Sequence, residues 1–490
     1  MKRRESKKSH RQAEQSMKNV RKVLRLTFSF VPLQKISEKM SVQELYQLYK
    51  QHPVITTDSR DCPQGSIFIA LKGASFNGNL FAVQALEKGC AYAIIDEQTV
   101  KDGCPDDVKE RLIVVDDCLQ TFKDMAREHR RQFDIPVIGI TGTNGKTTTK
   151  ELVAAVLSEE NNVLFTQGNF NNDVGVPKTL FRISEEHDMA VIEMGASHPG
   201  DIKTLVETVE PTCGLITNVG RAHLQGFGSF EGVKRTKGEL YDYLAAQQTK
   251  SLEGGLVFIN ADDEDLCAMA DERNILFRSG YGMGKSDDIV VKGEIISCAP
   301  MLKFRWYIHD EEEGDSEPFT VQTHLIGAYN IYNMLAAIAV GMEFDVDIDR
   351  INHALANYVP SNNRSQLTQT DRNTLIVDAY NANPTSMAAA IRSFAAIDTP
   401  KPKMAILGDM RELGDASVDE HQKAIELMKE CQLSNVWLVG DEFGRCQCDY
   451  RKFGDVEEVK KAISEEMPEG YCILIKGSNS TKLHQLPALL

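Results

Sequence analysis

The chain has 490 residues, a formal net charge of -16, and 42% hydrophobic and 26% charged residues. That length exceeds what a single hydrophobic core organises, and it predicts roughly three domains. The acidic charge argues against a nucleic-acid-binding protein, and no apolar run approaches the roughly 20 residues of a membrane-spanning helix. The 11 cysteines are scattered along the chain, which is typical of reduced thiols in a soluble, cytoplasmic protein.

Residues 1–39 are rich in lysine and arginine and have no regular apolar pattern. A nucleic-acid-binding tail, a disordered extension and a translation start at Met40 each explain such a segment. We favour the last two explanations and expect the fold to begin at residue 40.

Residues 40–133 are predicted to form a small α/β domain. The pattern predicts a helix over Val42–Tyr49 and then strands over Ser66–Leu71, Ala91–Asp96 and Leu112–Asp116. Two polar loops, residues 58–60 and 72–79, contain serine, arginine, phenylalanine and asparagine. These side chains are able to stack on a ring and hydrogen-bond a phosphate, although an ordinary surface turn explains them equally well.

Residues 134–359 alternate strands and helices as a parallel sheet does, and antiparallel strands are added after residue 288. The predicted parallel strands are Val137–Thr141, Val163–Thr166, Met189–Met194, Gly214–Asn218 and Leu256–Asn260. Ligands bind at the carboxyl ends of the strands in such sheets. We therefore expect the polar residues at these ends to be functional.

The strand Val137–Thr141 leads into a loop with two glycines and then into a helix. Gly142 and Gly145 allow backbone N–H groups to approach a polyphosphate at the positive end of the helix dipole. Lys146 is placed to reach the terminal phosphates, and a threonine hydroxyl to bind magnesium. The standard Walker A motif has a glycine where this chain has Ile140. We interpret the stretch as an unusual nucleotide-binding loop rather than as a turn without a ligand.

Polar side chains also follow two later strands. Glu193 ends one strand and is the expected magnesium ligand beside a phosphate loop, with a helix-cap or salt-bridge role as the alternative. Asn218 and His223 follow the next strand. On its own, His223 is better explained as a hydrogen-bonded structural histidine.

Residues 360–490 repeat the alternation and predict a Rossmann-like third domain. Its predicted strands are Thr374–Asp378, Met404–Leu407, Val436–Val439 and Cys472–Lys476. Each strand ends in polar or glycine residues, and the run 378–384 is poorly explained by an ordinary turn. We expect a second ligand-facing edge that closes on the first.

Several of these stretches belong to one family pattern. They are Thr141–Thr148, Gly168–Pro177, Glu193–Ala196, Asn218–Leu224 and Lys237–Glu239. With them the chain resembles the Mur ligase family over Ser41–Leu483. Two further stretches, Tyr380–Ser386 and Leu407–Gly414, resemble the members that add D-alanyl-D-alanine to a UDP-N-acetylmuramoyl-tripeptide.

The resemblance implies three α/β domains that bind, in chain order, the UDP end of the substrate, ATP with magnesium, and the adenosine and dipeptide. It also implies an amide ligase. The tripeptide carboxylate attacks the γ-phosphate of ATP, and the amine of D-alanyl-D-alanine then attacks the acyl phosphate. This is the last cytoplasmic step of peptidoglycan precursor synthesis. A monomer that contacts neither nucleic acid nor membrane is expected.

The resemblance further implies roles for individual residues. The catalytic residues are Lys146, Glu193, His223 and Lys237. The ATP-binding residues are Gly142, Thr143, Asn144, Gly145, Lys146, Thr147, Thr148, Asn330, Asn333, Arg364 and Asp378. The substrate-binding residues are Asp58, Ser59, Arg60, Phe76, Asn77, Gly78, Asn171, Asn172, Tyr380, Asn381 and Asn383. Two magnesium ions are expected, and their ligands are Thr147, Glu193, His223 and Lys237, the lysine as a carbamate.

Some positions depart from the family pattern, and two kinds of alternative stay open: a sister ligase and a non-catalytic relative. Tyr329 stands where the family has histidine, and Asn479 where it has arginine. A ligase that adds a diamino acid would have histidine in place of Ala382, and folylpolyglutamate synthase normally lacks the first domain. A non-catalytic nucleotide-binding relative would have lost one of the four catalytic residues, and all four are present.

Overall fold

The computed structural model describes residues 39–251, 254–284, 286, 288–310, 314–360 and 366–490. The extension predicted for residues 1–39, apart from Lys39, lies outside the described residues, and so does the predicted ATP-binding residue Arg364. The chain divides into two compact units, and the division falls between Cys118 and Leu119.

The first unit is built on a parallel sheet of four short strands. In spatial order they are Ile55–Thr56, Ile67–Ile69, Tyr92–Ile95 and Leu112–Val114. A two-stranded ribbon pairs Lys72–Gly73 with Phe76–Asn77. The helices are Val42–Gln51, Ala82–Lys88, Gln98–Asp102 and Asp106–Lys109, with a 3₁₀ turn at Gly78–Phe81. Ser41 begins the first helix with a capping box, because its side chain and that of Glu44 each bind the other's backbone N–H.

The second unit contains two sheets, the first with ten strands. From one edge inwards its parallel strands are Val163–Phe165, Met189–Glu193, Val137–Thr141, Cys213–Ile216, Leu256–Asn260, Arg278–Gly282 and Ile289–Cys298. The strand Met301–Asp310 pairs antiparallel with the last of these, and Gly314–Asp315 and Phe319–Ile326 both pair with Met301–Asp310. The helices of this part are Cys118–Arg130, Lys146–Leu157, Gly175–Leu180, Asp201–Val209, Leu224–Phe227, Phe230–Gln248, Glu264–Asp271, Asn330–Glu343 and Ile348–Asn357.

The strand Val137–Thr141 lies inside this sheet and is buried along its whole length. Ile138 and Ile140 face a core that includes helices Lys146–Leu157 and Asn330–Glu343, whereas Val137 faces a second core on the opposite side. Alternate side chains of a strand point to opposite faces, so both faces are covered by apolar residues. The loop that follows the strand therefore starts from a firmly held position.

The strand Arg278–Gly282 was not predicted from the sequence. It reads Arg-Ser-Gly-Tyr-Gly, which lacks the apolar alternation on which such predictions depend. Its place is decided by parallel pairing with Leu256–Asn260 on one side and Ile289–Cys298 on the other.

The second sheet of this unit has six strands. In spatial order they are Gln366–Gln369, Thr374–Asp378, Cys472–Lys476, Lys403–Gly408, Val436–Val439 and Arg451–Phe453, and only the first is antiparallel to its neighbour. The helices are Pro384–Ala396, Ser417–Glu430, Asp441–Arg445 and Val456–Glu465, with 3₁₀ turns at Gly414–Ala416, Asn479–Thr481 and Leu483–Gln485. The two outer strands were not predicted, because they are short and largely polar.

The predicted fold class is confirmed. Three sheets of mainly parallel strands, each with its own helices, occur in chain order, and antiparallel strands extend the central sheet. The longest described helix, Phe230–Gln248, carries several charged residues, and none of the described helices is suited to cross a lipid bilayer.

Candidate active site

The predicted phosphate loop has the backbone that its glycines allow. Gly142 has φ 141° and Gly145 has φ 79°, both in the region that favours glycine. A Cβ at Gly142 would collide with the hydroxyl of Thr217, and one at Gly145 would lie 2.8 Å from Oδ1 of Asn333. Helix Lys146–Leu157 begins directly after Gly145, so the free N–H groups of its first turn lie at the loop.

Lys146, the first residue of this helix, folds back over the loop. Its Nζ donates to the carbonyl oxygens of Gly142, at 2.8 Å, and Thr143, at 3.0 Å. The loop is supported from the neighbouring strand by Asn218. The side chain of Asn218 accepts the backbone N–H of Asn144 at 3.1 Å and donates to the carbonyl oxygen of Asn144 at 3.0 Å. The loop and its lysine thus form a rigid, positively charged anion site.

Glu193 ends the strand Met189–Glu193 beside this loop and is only 1% exposed. The hydroxyl of Thr147 donates to its Oε2 at 2.8 Å, and the amide of Asn171 donates to its Oε1 at 2.7 Å. Both donors are neutral, so neither compensates the negative charge. Buried carboxylates are normally paired with a cation or bound to a metal, and this environment therefore fits Mg²⁺.

Among the residues that the structure describes, no group of three or more histidine, cysteine, aspartate or glutamate side chains is arranged to hold a metal ion. The predicted ligand set contains only Glu193 and His223 of these types, together with Thr147 and Lys237. A cation at this place would need further oxygen ligands, of the kind that the phosphate groups of a nucleotide supply.

His223 lies after the strand Cys213–Ile216, and its Nδ1 contacts the carboxylate of Glu412 from the C-terminal sheet region. Partial burial lowers the pKa of His223, and the charges of Lys146 and Lys237 lower it further, whereas Glu412 opposes them. The neutral imidazole that results is the form that binds metals.

Lys237 lies on the helix Phe230–Gln248 and is 2% exposed. Burial lowers the pKa of Lys237 well below its usual range, and the positive charge of Lys146 lowers it further. Its Nζ lies 5.6 Å from the centroid of the Phe227 ring, and the His223 ring meets the same phenylalanine edge-on at 6.2 Å. A lysine with such a pKa has a nucleophilic amine, as the addition of CO₂ requires.

The C-terminal sheet presents a polar edge of its own. Lys476, which is almost fully buried, donates to Asp378 at 2.7 Å and to the carbonyl oxygen of Asn381 at 3.2 Å. Asp378 and Lys476 end two adjacent parallel strands. This pair therefore fixes the start of the run 378–384 at the sheet edge.

Asn383 joins this edge to the phosphate loop. Its Nδ2 donates to Oδ1 of Asn144 at 2.7 Å, and Nδ2 of Asn144 lies 3.4 Å from Oδ1 of Asn383. Asn383 also begins the helix Pro384–Ala396, because its side chain accepts the N–H of Ser386 at 2.9 Å. One side chain thus caps a helix of the second sheet and contacts the loop of the first.

These residues surround a cavity of about 840 Å³, a size typical of nucleotide and small-molecule sites. The predicted residues that line it are Thr143, Asn144, Gly145, Lys146, Thr148, Asn171, Asn172, Glu193, His223, Asn330, Asn333, Asp378, Tyr380 and Asn381. Gly142, Thr147 and Asn383 contact residues of this lining. Lys237 lies close enough to His223 to lower the pKa of that histidine, and close enough to Lys146 for the charge of Lys146 to lower the pKa of Lys237.

Three of the predicted ligand-binding amides are engaged within the protein. Asn333 accepts from the hydroxyl of Thr149 at 3.0 Å and donates to Asn330 at 2.8 Å. Asn330 donates in turn to the carbonyl oxygen of Ile326 at 2.7 Å. Asn171 holds Glu193, as described above. Through these hydrogen bonds, the three side chains hold neighbouring groups in place around the cavity.

The first group of substrate residues predicted in the first unit, Asp58, Ser59 and Arg60, follows the strand Ile55–Thr56. Asp58 accepts the backbone N–H of Arg60 at 2.9 Å and pairs with its guanidinium at 2.7 Å. The carbonyl oxygen of Ser59 accepts from Lys88 at 2.7 Å. Asp58 therefore orients Arg60, whose side chain remains mostly exposed and able to meet an anion.

The second group, Phe76, Asn77 and Gly78, follows the neighbouring parallel strand, so both groups lie at one edge of the sheet. The Phe76 ring is 56% exposed. Asn77 donates to Glu97 at 2.9 Å, and the N–H of Gly78 donates to the carbonyl oxygen of Leu71 at 2.9 Å. The loop is held by its ends and presents an aromatic face.

Sequence reasoning did not include Asn218, Glu412 or Lys476 among the site residues. Each of them nevertheless belongs to a stretch that the family pattern or the strand ends had marked: 218–224, 407–414 and 476–478. These polar residues were therefore visible in the sequence. Their hydrogen-bond partners were not, because the partners lie far away in the chain.

A phosphate loop at the carboxyl edge of one parallel sheet, faced by the polar edge of a second, defines a nucleotide-dependent α/β enzyme. Three family models agree. The model described as "Mur ligase family, catalytic domain" matches residues 53–130, "Mur ligase middle domain" matches 140–341, and "Mur ligase, glutamate ligase domain" matches 363–479. The chain belongs to the Mur ligase family, and it is an ATP-dependent ligase.

Curated relatives match most of the chain. The UDP-N-acetylmuramoyl-tripeptide–D-alanyl-D-alanine ligase of Escherichia coli (strain K12) is 33% identical over 452 residues, covering 88% of this chain and 92% of that protein. The ligase of the same name from Bacillus subtilis (strain 168) is 31% identical over 451 residues, with the same coverage of 88% and 92%. The resemblance stated from the motifs is confirmed.

Solved structures give the same result. MurF from Acinetobacter baumannii is similar to this chain with a TM-score of 0.78 at 29% identity, covering 92% of this chain and 98% of that one. MurF ligase from Thermotoga maritima, solved in complex with ADP, has a TM-score of 0.77 at 25% identity and covers 89% of this chain and 96% of that one.

Proposed function

We propose that this chain joins D-alanyl-D-alanine to UDP-N-acetylmuramoyl-tripeptide while ATP is converted to ADP and phosphate. The product is the pentapeptide precursor of peptidoglycan. The names of the relatives support the assignment of these two substrates. In this chain the supporting observation is the single cavity in which the phosphate loop, Glu193 and the edge of the C-terminal sheet meet.

The reaction proceeds in two steps. A carboxylate oxygen of the tripeptide forms a bond to the γ-phosphorus, the bond from that phosphorus to the bridging oxygen breaks, and ADP leaves. The amine of the dipeptide then attacks the carbonyl carbon of the acyl phosphate, loses a proton and expels inorganic phosphate. The first step brings a carboxylate to a polyphosphate, and the second develops negative charge on the carbonyl oxygen and the leaving phosphate. Both steps therefore need positioned positive charge and N–H donors.

We assign the polyphosphate to the loop 142–148, where the helix N-terminus and Lys146 supply these groups. Asn330, Asn333, Arg364 and Asp378 are our proposals for contacts to the rest of the nucleotide. The ion pair with Lys476 holds Asp378 in position for that task.

We assign two magnesium ions to Thr147, Glu193, His223 and Lys237, the lysine as a carbamate. When bound, magnesium neutralises charge on the phosphates. The neutral amine of Lys237 adds to the carbon of CO₂ and releases a proton, and this places an anionic oxygen ligand at the end of the lysine side chain. The lowered pKa of Lys237 supports this modification.

We assign the UDP end of the substrate to the domain 40–133 through Asp58, Ser59, Arg60, Phe76, Asn77 and Gly78. ATP belongs to the domain 134–359. The peptide and dipeptide meet the domain 360–490 through Tyr380, Asn381 and Asn383, together with Asn171 and Asn172. We further propose that the chain works as a monomer in the cytoplasm, where ATP is available.

The test is a phosphate-release assay on the purified full-length protein. We expect release from ATP only when UDP-N-acetylmuramoyl-tripeptide and D-alanyl-D-alanine are both present, with amide formation confirmed by mass spectrometry. Release with either substrate alone, or equal release with single D-alanine, would contradict the proposal. A set of tripeptides that differ at the third residue then identifies the diamino acid that the chain accepts.

A further inference from the structure

The contact between His223 and Glu412 joins two parts of the molecule that are 189 residues apart in the chain. His223 belongs to the loop after Cys213–Ile216 in the ATP-binding sheet. Glu412 belongs to the loop after Lys403–Gly408 in the C-terminal sheet. The contact is therefore made only when the two sheets lie in the arrangement seen here.

Both residues have a left-handed backbone, with φ 50° at His223 and φ 62° at Glu412. Non-glycine residues adopt this conformation uncommonly, although histidine does so more often than most, and the surrounding structure holds them in it. Two such residues that face each other indicate that the loops are shaped to bring these side chains together.

The loop of His223 is held by the C-terminal sheet region at three further points. The N–H of Gln225 donates to the carbonyl oxygen of Glu412 at 3.2 Å. The N–H of Arg221 donates to the hydroxyl of Thr385 at 3.2 Å, and the Arg221 guanidinium lies 3.4 Å from Glu420. Glu412 thus contacts this loop with its backbone as well as with its carboxylate.

The geometry of the histidine makes this contact chemically important. An ionised carboxylate can only accept a hydrogen bond, so Nδ1 of His223 is the donor, and in the neutral ring the lone pair then lies on Nε2. The edge-on contact with Phe227 restrains the same ring from another side. Carboxylates that bind the second nitrogen of a metal-binding histidine fix its tautomer and orientation.

We propose that Glu412 is a positioning residue for the reaction and acts through His223. It orients the imidazole so that Nε2 meets the cation, and it does so only when the C-terminal sheet is docked. This inference rests on the proposed function, which makes His223 a magnesium ligand. Formation of the cation site is thereby coupled to the arrangement of the two sheets.

If Glu412 had a purely structural role, removal of its side chain would lower the stability of the protein rather than its affinity for a cation. The Glu412 side chain is 55% exposed and the His223 side chain 33% exposed. Ion pairs at such exposure contribute little to stability, so removal of the carboxylate should leave the thermal unfolding temperature nearly unchanged. Cation affinity is therefore the quantity to measure.

The experiment measures Mn²⁺ binding to the full-length protein in the presence of ADP, by the electron paramagnetic resonance signal of free Mn²⁺. We expect Glu412→Ala to weaken binding by about 10- to 100-fold, the usual effect of losing such an outer partner. Glu412→Gln should retain most of the affinity, because its amide oxygen still accepts from Nδ1. Asp415→Ala, which removes an exposed carboxylate from the same region, is the matched control and should bind as the wild type does.

A double-mutant comparison tests the route through His223. If Glu412 acts through the histidine, His223→Ala and the combined variant His223→Ala/Glu412→Ala should bind Mn²⁺ equally weakly. Wild-type affinity in Glu412→Ala, or an added loss in the combined variant, would overturn the inference. Wild-type protein that binds Mn²⁺ with ADP but forms no amide would instead overturn the proposed function, and the affinity of Glu412→Ala would still decide the role of Glu412.

Discussion

The two sides of the cavity are built in different ways. On one side, Glu193 is buried and held by Thr147 and Asn171, and all three belong to the ATP-binding sheet and its loops. On the other side, His223 is partly exposed, has a strained backbone and contacts Glu412 from the second sheet. The first side is complete within one sheet, whereas the second exists only when two sheets meet.

The Glu193 side is ready to bind a cation, whereas the His223 side must first be assembled from two sheets. A buried carboxylate with neutral donors is preorganised, so it needs no movement before a cation and phosphates arrive. A site whose parts come from two sheets forms only in one arrangement of them, and its strength depends on that arrangement. Substitutions on the Glu193 side should therefore affect the chemistry itself, and those on the His223 side should also reveal the coupling of the sheets.

The largest effect is expected from Glu193→Gln. The amide has nearly the same shape but no negative charge, so the cation site is lost while the packing is kept. We expect turnover to fall by about 10³-fold, the scale of a lost electrostatic group in phosphoryl transfer. The phosphate-release assay measures this. Glu186→Gln, an exposed position near the same strand, is the control, and a similar loss there would show that the effect is not specific to the site.

Lys237→Ala should have the next largest effect, a loss of at least about 10²-fold in turnover. Formate or acetate should restore part of the activity, because either ion can occupy the place of the carbamate. The control is Lys234→Ala on the same helix, whose lysine pairs with Asp265 at 2.9 Å. Full activity in Lys237→Ala would refute the assignment of this lysine to the cation site.

Substitutions of Asn383 distinguish the effect of the contact between the sheets from the effect of helix capping. Asn383→Ser keeps a capping side chain but cannot reach Asn144 as the amide does, whereas Asn383→Ala loses both interactions. We expect both variants to lose roughly 10-fold in turnover through misplacement of the loop. Only the alanine variant should lose about 1 kcal/mol in the free energy of unfolding. Normal turnover in Asn383→Ser would mean that the Asn144 contact does not matter.

The smallest effect concerns pH and the loop that carries Glu412. His421 is fully buried, and its Nε2 accepts the N–H of Met410 at 3.0 Å, which only a neutral ring can do. Burial lowers the pKa of His421 from 6.5, although Asp409 at 3.7 Å opposes this. Below pH 6.5 the histidine binds a proton in the unfolded chain more readily than it does in the folded chain. The free energy of unfolding should therefore decrease as the pH falls below 6.5, by at most about 1.4 kcal/mol per pH unit.

Urea unfolding at a series of pH values measures this effect, and His421→Gln provides the comparison. The glutamine amide can accept from Met410 and donate to Ser417 but does not titrate in this range. The difference in stability between the two proteins should shrink as the pH is lowered. A difference that stays constant with pH would show that His421 does not contribute to the pH dependence.

Much of the second unit was predictable from local patterns. The strands Val137–Thr141, Leu256–Asn260, Thr374–Asp378, Val436–Val439 and Cys472–Lys476 have the predicted bounds. Each is a short apolar run that ends in polar or glycine residues, and such runs are buried on both faces in parallel sheets. The outer strands and Arg278–Gly282 lack this composition, and only their neighbours in the sheet make them strands.

The burial of Lys237 was shown only by the structure. The sequence by itself determined two parts of the chemistry: a phosphate loop with Lys146, and a carboxylate, Glu193, at the end of a later strand. It did so because each of these groups is placed by the few residues around it. The partners were decided by the tertiary structure alone. Asn144 meets Asn383 across 239 residues and His223 meets Glu412 across 189, and no local pattern encodes contacts that depend on how two separately formed sheets pack.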